Sequence, residues 1–248
     1  MSGIGLGAPF DWLARGWRDF RTAPAVGVAH GALCAAFGIA LFAFAHQRFW
    51  VLAGAVSGFL LVAPVVATGL YAVSRAIERG ETPDAACVLR VWRSLDRRLV
   101  AFGVGLAAAG TGWVLTSAAL ITLFAPAPIA TPLDFLRHVV VARSGWLFEG
   151  WLLLGGLLAA PVFASSVIAI PLLLDRPSAT VRAAVLASWR AVLAQPLPLA
   201  LWAALVMTLS AAGMVAAMLG LLAVVPLLGH ASWHAYRALA GADARVVP

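Results

Sequence analysis

Residues 26–45 have the sequence VGVAHGALCAAFGIALFAFA, a run of twenty residues without Asp, Glu, Lys or Arg. A run of this length can cross the roughly 30 Å hydrocarbon core of a bilayer as one helix. The rest of the chain is similar, because 63% of its residues are hydrophobic and only 11% are charged. Soluble domains carry about 25% charged residues. The sequence therefore predicts an all-α membrane protein and excludes an ordinary soluble fold.

Five further stretches are apolar enough to lie in a bilayer. They cover residues 50–73, 99–124, 147–174, 197–212 and 213–236. The last two share one apolar block, so each is short, and residues 197–236 cross either twice or once. We predict six transmembrane helices in a single multi-pass domain that covers residues 1–248.

Basic residues alternate between the two sides of the predicted spans. All seventeen are arginine, and fourteen of them fall on the side that carries both ends of the chain. The other three are Arg48, Arg137 and Arg143. Because basic loops stay in the cytoplasm, we expect both termini to be cytoplasmic. The formal net charge of +7 then indicates a surface for anionic lipid headgroups and not for nucleic acid.

One short pattern recurs three times along the chain. A Trp-Arg pair is followed by an apolar residue three positions after the tryptophan, at Trp17, Trp92 and Trp189. Each copy precedes two of the predicted spans. We therefore predict three repeats, each an amphipathic helix followed by a pair of transmembrane helices. The repeats cover residues 9–74, 83–174 and 178–237.

The segments around the three Trp-Arg pairs have the spacing of amphipathic helices. Their apolar stripes are Phe10, Leu13, Trp17 and Phe20; Val88, Leu89, Trp92, Leu95 and Leu99; and Val181, Val185, Leu186, Trp189, Val192 and Leu193. Thr82 and Pro83 are expected to be the cap and first residue of the second helix.

Amphipathic helices with arginine on the polar face lie in the membrane interface, with arginine among the headgroups. They can also cap the cytoplasmic ends of the spans, and the two arrangements are compatible. The residues that we assign to the lipid interface are Trp17, Arg18, Arg90, Trp92, Arg93, Arg97, Trp189 and Arg190.

Residues 125–146 form the longest predicted extracytoplasmic segment. Within it, Leu133, Leu136 and Val139 recur at helical spacing. We expect a short surface helix there.

Three histidines are the candidates for ligand chemistry. His230 and His234 are four residues apart and share one face of the last predicted span, whereas His30 begins the first. Imidazoles placed in this way can bind a metal ion or the axial positions of a haem. They can equally be ordinary interfacial residues, because no carboxylate lies beside them in sequence to orient them. We predict no metal site and no cofactor, and keep these histidines as the alternative.

Catalytic motifs are absent from the sequence. It contains no G-x-S-x-G, Walker A, H-E-x-x-H or C-x-x-C pattern. We therefore predict a non-enzymatic accessory, assembly or scaffold component. One alternative is a small-solute transporter or channel, suggested by the repeats and by prolines within spans. Another is a haem- or metal-binding protein associated with a respiratory complex.

Three segments carry a resemblance to a known family. They are PFDWL at 9–13 with GWRDF at 16–20; GLY at 69–71 with Ser74, Arg75 and Glu78; and PLLGHASWHAYR at 226–237. Together they resemble the bacterial integral-membrane family catalogued as domain of unknown function 2189. The resemblance implies a six-span inner-membrane protein of Gram-negative bacteria and no catalytic residue.

Some members of that family are labelled as oxidase subunits. This chain lacks the multiple span-borne histidines of a haem-copper core, so the resemblance implies at most an accessory component. We expect a membrane-protein partner or a homo-oligomer.

Overall fold

The computed structural model of the chain describes residues 4–45, 48, 50–55, 59, 66–142 and 145–243. Every regular element in these residues is a helix, so the all-α prediction is confirmed. The α-helices are α1 Ala8–Thr22, α2 Pro24–Ala45, α3 Thr68–Glu78, α4 Ala85–Arg93, α5 Arg97–Phe124, α6 Pro132–Phe135, α7 Leu147–Ser166, α8 Ala169–Asp175, α9 Val181–Ala194, α10 Pro196–Val215 and α11 Leu221–Asp243. A π-helix, Leu136–Val140, follows α6.

Within the described residues, four stretches of helix are long and apolar enough to cross a membrane, judged by length and composition. They are Pro24–Ala45, Arg97–Phe124, Leu147–Asp175 and Pro196–Val215. These correspond to the first, third, fourth and fifth predicted spans. The second predicted span, residues 50–73, lies partly outside the described residues. Six spans and the cytoplasmic placement of both termini stay predictions.

The surfaces of the four candidate spans are apolar and mostly open. Between 22% and 44% of the apolar window of each span is buried. Phe44 and Val215 are each 88% exposed. Soluble monomers rarely expose large contiguous apolar patches, so a bilayer is the environment that these helices fit.

The last apolar block divides later than predicted. α10 continues through Gly213 to Val215, and α11 begins at Leu221. A Cβ atom on Gly220 would lie 2.7 Å from the Cα atom of Gly213, so the two backbones touch across the turn. Gly213 therefore belongs to the packed end of α10, and the predicted division at this residue was wrong.

α11 is not one of the four candidate spans found in the described residues. Its second half carries polar side chains, including His230, Ser232, His234 and Arg237, which lower its mean hydropathy. The same half is packed against protein, because Ala231 and Ala235 are fully buried. The hydropathy of α11 is therefore lower than that of the candidate spans because it carries polar side chains that face other helices.

The chain divides into two compact units. Unit 1 consists of Met1–Ala36, Pro64–Phe102 and Phe163–Pro248, and unit 2 of Phe37–Ala63 and Gly103–Val162. In unit 2, Ile121, Ile129, Val139 and Leu147 form a buried apolar cluster.

The short helix predicted within residues 125–146 is present in unit 2 as α6 and the π-helix. Thr131 and Asp134 form a capping box at its start. Hydrogen bonds from the Thr131 hydroxyl and backbone hold the pKa of Asp134 below its ordinary value. The helix begins at residue 132 because this box satisfies backbone N–H groups of the first turn.

In unit 1, Arg98 ties the start of α5 to the end of α8. Its Nη2 atom lies 2.6 Å from Asp96 Oδ2, and this hydrogen bond lowers the pKa of Asp96. The guanidinium also donates to the carbonyl oxygens of Leu173, Arg176, Pro177 and Ala179. Carbonyl groups at a helix C-terminus attract basic side chains in this way. Arg98 is thus fully engaged in structural bonds.

Candidate functional site

α1 packs along α11 through a glycine. A Cβ atom on Gly16 would lie 2.6 Å from the backbone nitrogen of Ala231 and 2.8 Å from the carbonyl oxygen of Leu227. Beside this contact, the Trp12 ring is 2% exposed, and its centroid lies 5.6 Å from that of Trp202 on α10. The absent side chain therefore lets α1 dock directly on the backbone of α11.

This docking places Asp19 in a buried polar network with α3 and α11. Ser74 Oγ donates to Asp19 Oδ2 at 2.7 Å, and His234 Nε2 donates to the same oxygen at 2.8 Å. Because the single hydroxyl proton of Ser74 points to the carboxylate, its oxygen accepts from Nδ1 of His230 at 2.8 Å. Four side chains from three helices form one connected network.

The Asp19 carboxylate is 7% exposed and carries the charge of the network. Burial raises the pKa of Asp19, but the hydrogen bonds that its carboxylate accepts from His234 and Ser74 lower the pKa by more, so it lies below its ordinary value. The carboxylate is therefore ionised at neutral pH. A buried charge of this kind is stable only while its hydrogen-bond partners remain.

Two buried imidazole nitrogens have no hydrogen-bond partner within the described part of the chain, Nε2 of His30 and Nε2 of His230. His30 Nδ1 lies 2.9 Å from the carbonyl oxygen of Val26. Since a carbonyl only accepts, Nδ1 carries the proton of His30, as it does in His230. Each ring thus holds an unprotonated Nε2 lone pair inside the protein. Unpartnered buried polar atoms are rare.

The structure brings two of the three predicted histidines into one network and leaves the third beside it. No carboxylate neighbours His230 or His234 in sequence, but Asp19, 215 residues before His234, supplies one. His30 packs against Gly69, where a Cβ atom would lie 2.7 Å from its Nε2. No group of three or more His, Cys, Asp or Glu able to hold a metal occurs among the described residues.

A second polar cluster joins the ends of α3 and α8 to α11. Glu78 accepts hydrogen bonds from Trp233 Nε1 at 3.1 Å and from Arg237 Nε at 2.9 Å. Asp175 accepts from the hydroxyl of Tyr236 at 2.8 Å. These pairs were not predictable from the sequence, because their members lie far apart along the chain.

The three segments that carry the family resemblance meet in these two clusters. GWRDF contributes Asp19, the second segment contributes Ser74 and Glu78, and residues 226–237 contribute the two histidines and Arg237. The motifs are thus the contact surfaces of three helices.

The amphipathic helices α1 and α9 bury a different face from the predicted apolar stripe. α1 buries Pro9, Trp12, Gly16 and Asp19, and α9 buries Ala184, Ser188 and Ala191. Large residues of the predicted stripes stay outside, for example Phe10, which is 56% exposed, and Leu193, which is 72% exposed. Apart from Pro9 and Trp12, the residues that pack on the protein are small or polar. The exposed members of the two predicted stripes are Phe10, Trp17, Leu186, Trp189 and Leu193.

α4 differs from α1 and α9, because it buries Val88 of its own predicted stripe, and its ends differ from those predicted. It buries Cys87 and Val88. Its cap is Asp84, whose side chain accepts from the backbone N–H of Cys87, and not Thr82. Leu95 lies beyond the helix with a positive φ of 43°, because the chain turns there to enter α5. The prediction that Leu95 and Leu99 continue the stripe of this helix was wrong, because Leu99 lies in α5.

The residues assigned to the lipid interface lie on the surface of unit 1. Trp17, Trp92 and Trp189 are 44%, 38% and 37% exposed. The five assigned arginines are also exposed: Arg18, Arg90, Arg93, Arg97 and Arg190. Each amphipathic helix thus presents a tryptophan beside an exposed arginine.

Residues 51–175 match the sequence family described as a predicted integral membrane protein, DUF2189. The chain belongs to this family. Comparison with the curated proteins and with the solved structures gives no match. The DUF2189 match and the apolar helices together establish an integral membrane protein, and they assign it no activity.

The DUF2189 match contains Ser74 and Glu78 but neither Asp19 nor α11. The polar clusters therefore connect the matched region to helices on both sides of it. In this DUF2189 member, the buried network is part of how α1 and α11 are held to α3.

Proposed function

We propose that this DUF2189 member is a non-enzymatic accessory, assembly or scaffold component of the bacterial inner membrane that binds anionic lipid through α1, α4 and α9. One observation carries the proposal. Each of these helices packs on unit 1 by one face and turns a tryptophan and an adjacent arginine outward.

The outward faces have the chemistry of the membrane interface. Tryptophan is enriched at the headgroup level, and the arginine that follows each of Trp17, Trp92 and Trp189 reaches the headgroups. Anionic lipid attracts each basic residue near the surface with about 1 kcal/mol. We call Arg18, Arg93 and Arg190 the collar arginines.

Replacing all three collar arginines by glutamine is expected to reduce the preference for phosphatidylglycerol over phosphatidylcholine by at least about tenfold, since each charge contributes about 1 kcal/mol. The preference is measured by mass spectrometry of the lipids that the purified full chain retains from mixed nanodiscs.

The matched control is R48Q/R137Q/R143Q, which removes the same charge from the predicted opposite side. It is expected to leave the preference nearly unchanged. An equal loss of preference in both variants would show that net charge alone causes the effect. No loss of preference in the collar variant would overturn the lipid-binding proposal.

The accessory role has its own test. The protein is purified in mild detergent from cells that express it at native level, and the co-purifying proteins are quantified. A stoichiometric membrane-protein partner would support the role. A chain that purifies alone from every mild detergent would contradict it.

A second candidate function is a haem- or metal-binding protein, and the unpartnered Nε2 atoms of His30 and His230 favour it. Neutral imidazole nitrogens are the usual haem and metal ligands. A Soret band or a stoichiometric metal in the purified protein would support this candidate. A spectrum without a Soret band and a metal-free elemental assay would remove it.

A further inference from the structure

A cavity of about 460 Å³ lies in unit 1 between α3, α4 and the start of α5. Its volume is within the range of about 300–1,000 Å³ that is usual for ligand sites. Its charged lining residues are Arg75, Arg79, Arg90, Arg98, Glu81 and Asp96. The lining is therefore more basic than acidic.

Three of the four arginines have donors to spare. Arg98 is held by Asp96 and by backbone carbonyls, whereas Arg75 donates from Nη1 to the carbonyl oxygen of Leu174 at 2.8 Å. Arg79 Nη2 lies 3.9 Å from Asp175 Oδ1, beyond hydrogen-bonding distance. Each guanidinium has five N–H donors, so most of theirs remain available.

Arg90 is the third of these arginines, and it reaches the cavity from α4. Its Nη2 atom donates to Cys87 Sγ at 3.5 Å, and sulfur is a weak acceptor. Arg90 is exposed, so its side chain can reorient toward a stronger acceptor without breaking a strong bond.

The electrostatics of Arg75 favour an anion in the cavity. Burial lowers the pKa of Arg75, and the neighbouring charge of Arg79 lowers it further, against the opposing effects of Asp175 and Glu81. A partly buried cation beside a like charge is less stable than in water. An anion bound between the two guanidinium groups would remove this repulsion.

We propose that this cavity binds a phosphate group held by Arg75, Arg79 and Arg90. The planar guanidinium matches the oxygens of phosphate in a bidentate geometry. The group belongs either to a phospholipid headgroup or to a soluble phosphate ester, because both present the same oxygens. The site is distinct from the outward collar, and its existence does not depend on the proposed function.

The test compares two double variants of the full chain in detergent. R79Q/R90Q removes two cavity arginines but keeps the hydrogen bond of Arg75 and the contacts of Arg98. R48Q/R137Q removes the same charge from two exposed arginines that neither line the cavity nor belong to the residues assigned to the lipid interface. The probes are glycerol 3-phosphate, followed by calorimetry, and phosphatidylglycerol, followed by native mass spectrometry.

We expect R79Q/R90Q to weaken binding of at least one probe by at least about tenfold, the equivalent of one charge-assisted hydrogen bond. R48Q/R137Q is expected to change that binding less than about threefold, which corresponds to a screened surface charge. Binding of glycerol 3-phosphate would identify a soluble ester as a ligand. Binding of phosphatidylglycerol alone would identify the lipid headgroup.

Cys87 gives an independent readout because it lines the cavity. The chain has two cysteines, so in a C34S background Cys87 is the only thiol. A bound probe is expected to slow its alkylation by iodoacetamide in the C34S protein and not in C34S/R79Q/R90Q. Failure of both probes to protect Cys87, or equal binding by the two double variants, would overturn the proposal.

Discussion

Replacing Asp19 by asparagine is expected to lower the free energy of unfolding by about 2–4 kcal/mol, the range for breaking a buried, hydrogen-bonded charge. The substitution keeps the volume and one acceptor oxygen, but it removes the negative charge that strengthens the hydrogen bonds from Ser74 and His234. The measurement is the thermal unfolding midpoint of the full chain in detergent.

The control for this prediction is D11N, because Asp11 lies on the exposed side of the same helix. It removes the same charge and is expected to change stability by less than about 0.5 kcal/mol. If D19N and D11N unfold at the same temperature, the network does not hold α1. A double-mutant cycle with S74A then measures how much of the loss belongs to the Ser74–Asp19 pair.

The advantage of the native protein over D19N is expected to depend on pH. The pKa of Asp19 is lowered from 3.8 in the folded protein. Because the pKa of Asp19 is lower in the folded than in the unfolded protein, the ionised carboxylate stabilises the fold fully at pH values above its unfolded pKa. This stabilisation is lost as the pH falls through its folded pKa. The difference in unfolding midpoint is therefore constant at neutral pH and shrinks below about pH 4.

Replacing Gly16 by alanine is expected to destabilise the protein by about 1–3 kcal/mol, the usual cost of overpacking. In an exposed helix the same change stabilises by about 1 kcal/mol. The sign reverses here because the new methyl group would meet backbone atoms of Leu227 and Ala231 at 2.6–2.9 Å. Backbone cannot move aside as a flexible side chain can, so α1 must shift.

Limited proteolysis of α1 and the thermal midpoint together measure this effect. G105A on α5 is the matched control, since a Cβ atom on Gly105 has nothing within 4 Å. We expect G16A to expose α1 to cleavage and G105A to leave it protected. G16A as stable as G105A would show that α1 does not dock on α11 through Gly16.

The spans were predictable because a bilayer demands long apolar runs, which are visible along the sequence. Residues 26–45 and 147–174 were found within two residues of the helical stretches Pro24–Ala45 and Leu147–Asp175. The position of the turn after α10 was not predictable, because it depends on the contact between Gly213 and Gly220. A contact between two glycines leaves no pattern in hydropathy.

The packing face of α1 was not predictable for a related reason. The stripe of Phe10, Trp17 and Phe20 looks like a core face, whereas Gly16 and Asp19 look like a solvated one. In the structure the second face is buried, because it is complementary to Ala231 and to the histidines of α11. A buried polar face is recognisable only when its partner is known.

The central claim is that the outward faces of α1, α4 and α9 lie in the membrane interface. The most direct test attaches a spin label to cysteine at Trp17, Trp92 or Trp189, one at a time, in C34S/C87S protein in nanodiscs. Labels at Met207, which is 71% exposed on α10, and at Glu81, which is exposed between α3 and α4, mark the hydrocarbon and aqueous limits.

Oxygen and a water-soluble nickel complex report the depth of each label. We expect all three labels to lie at one intermediate depth, between the two reference labels, because amphipathic helices lie at the boundary of headgroups and acyl chains. The placement of α1, α4 and α9 in the membrane interface would be contradicted if the three labels were as accessible to the nickel complex as the label at Glu81.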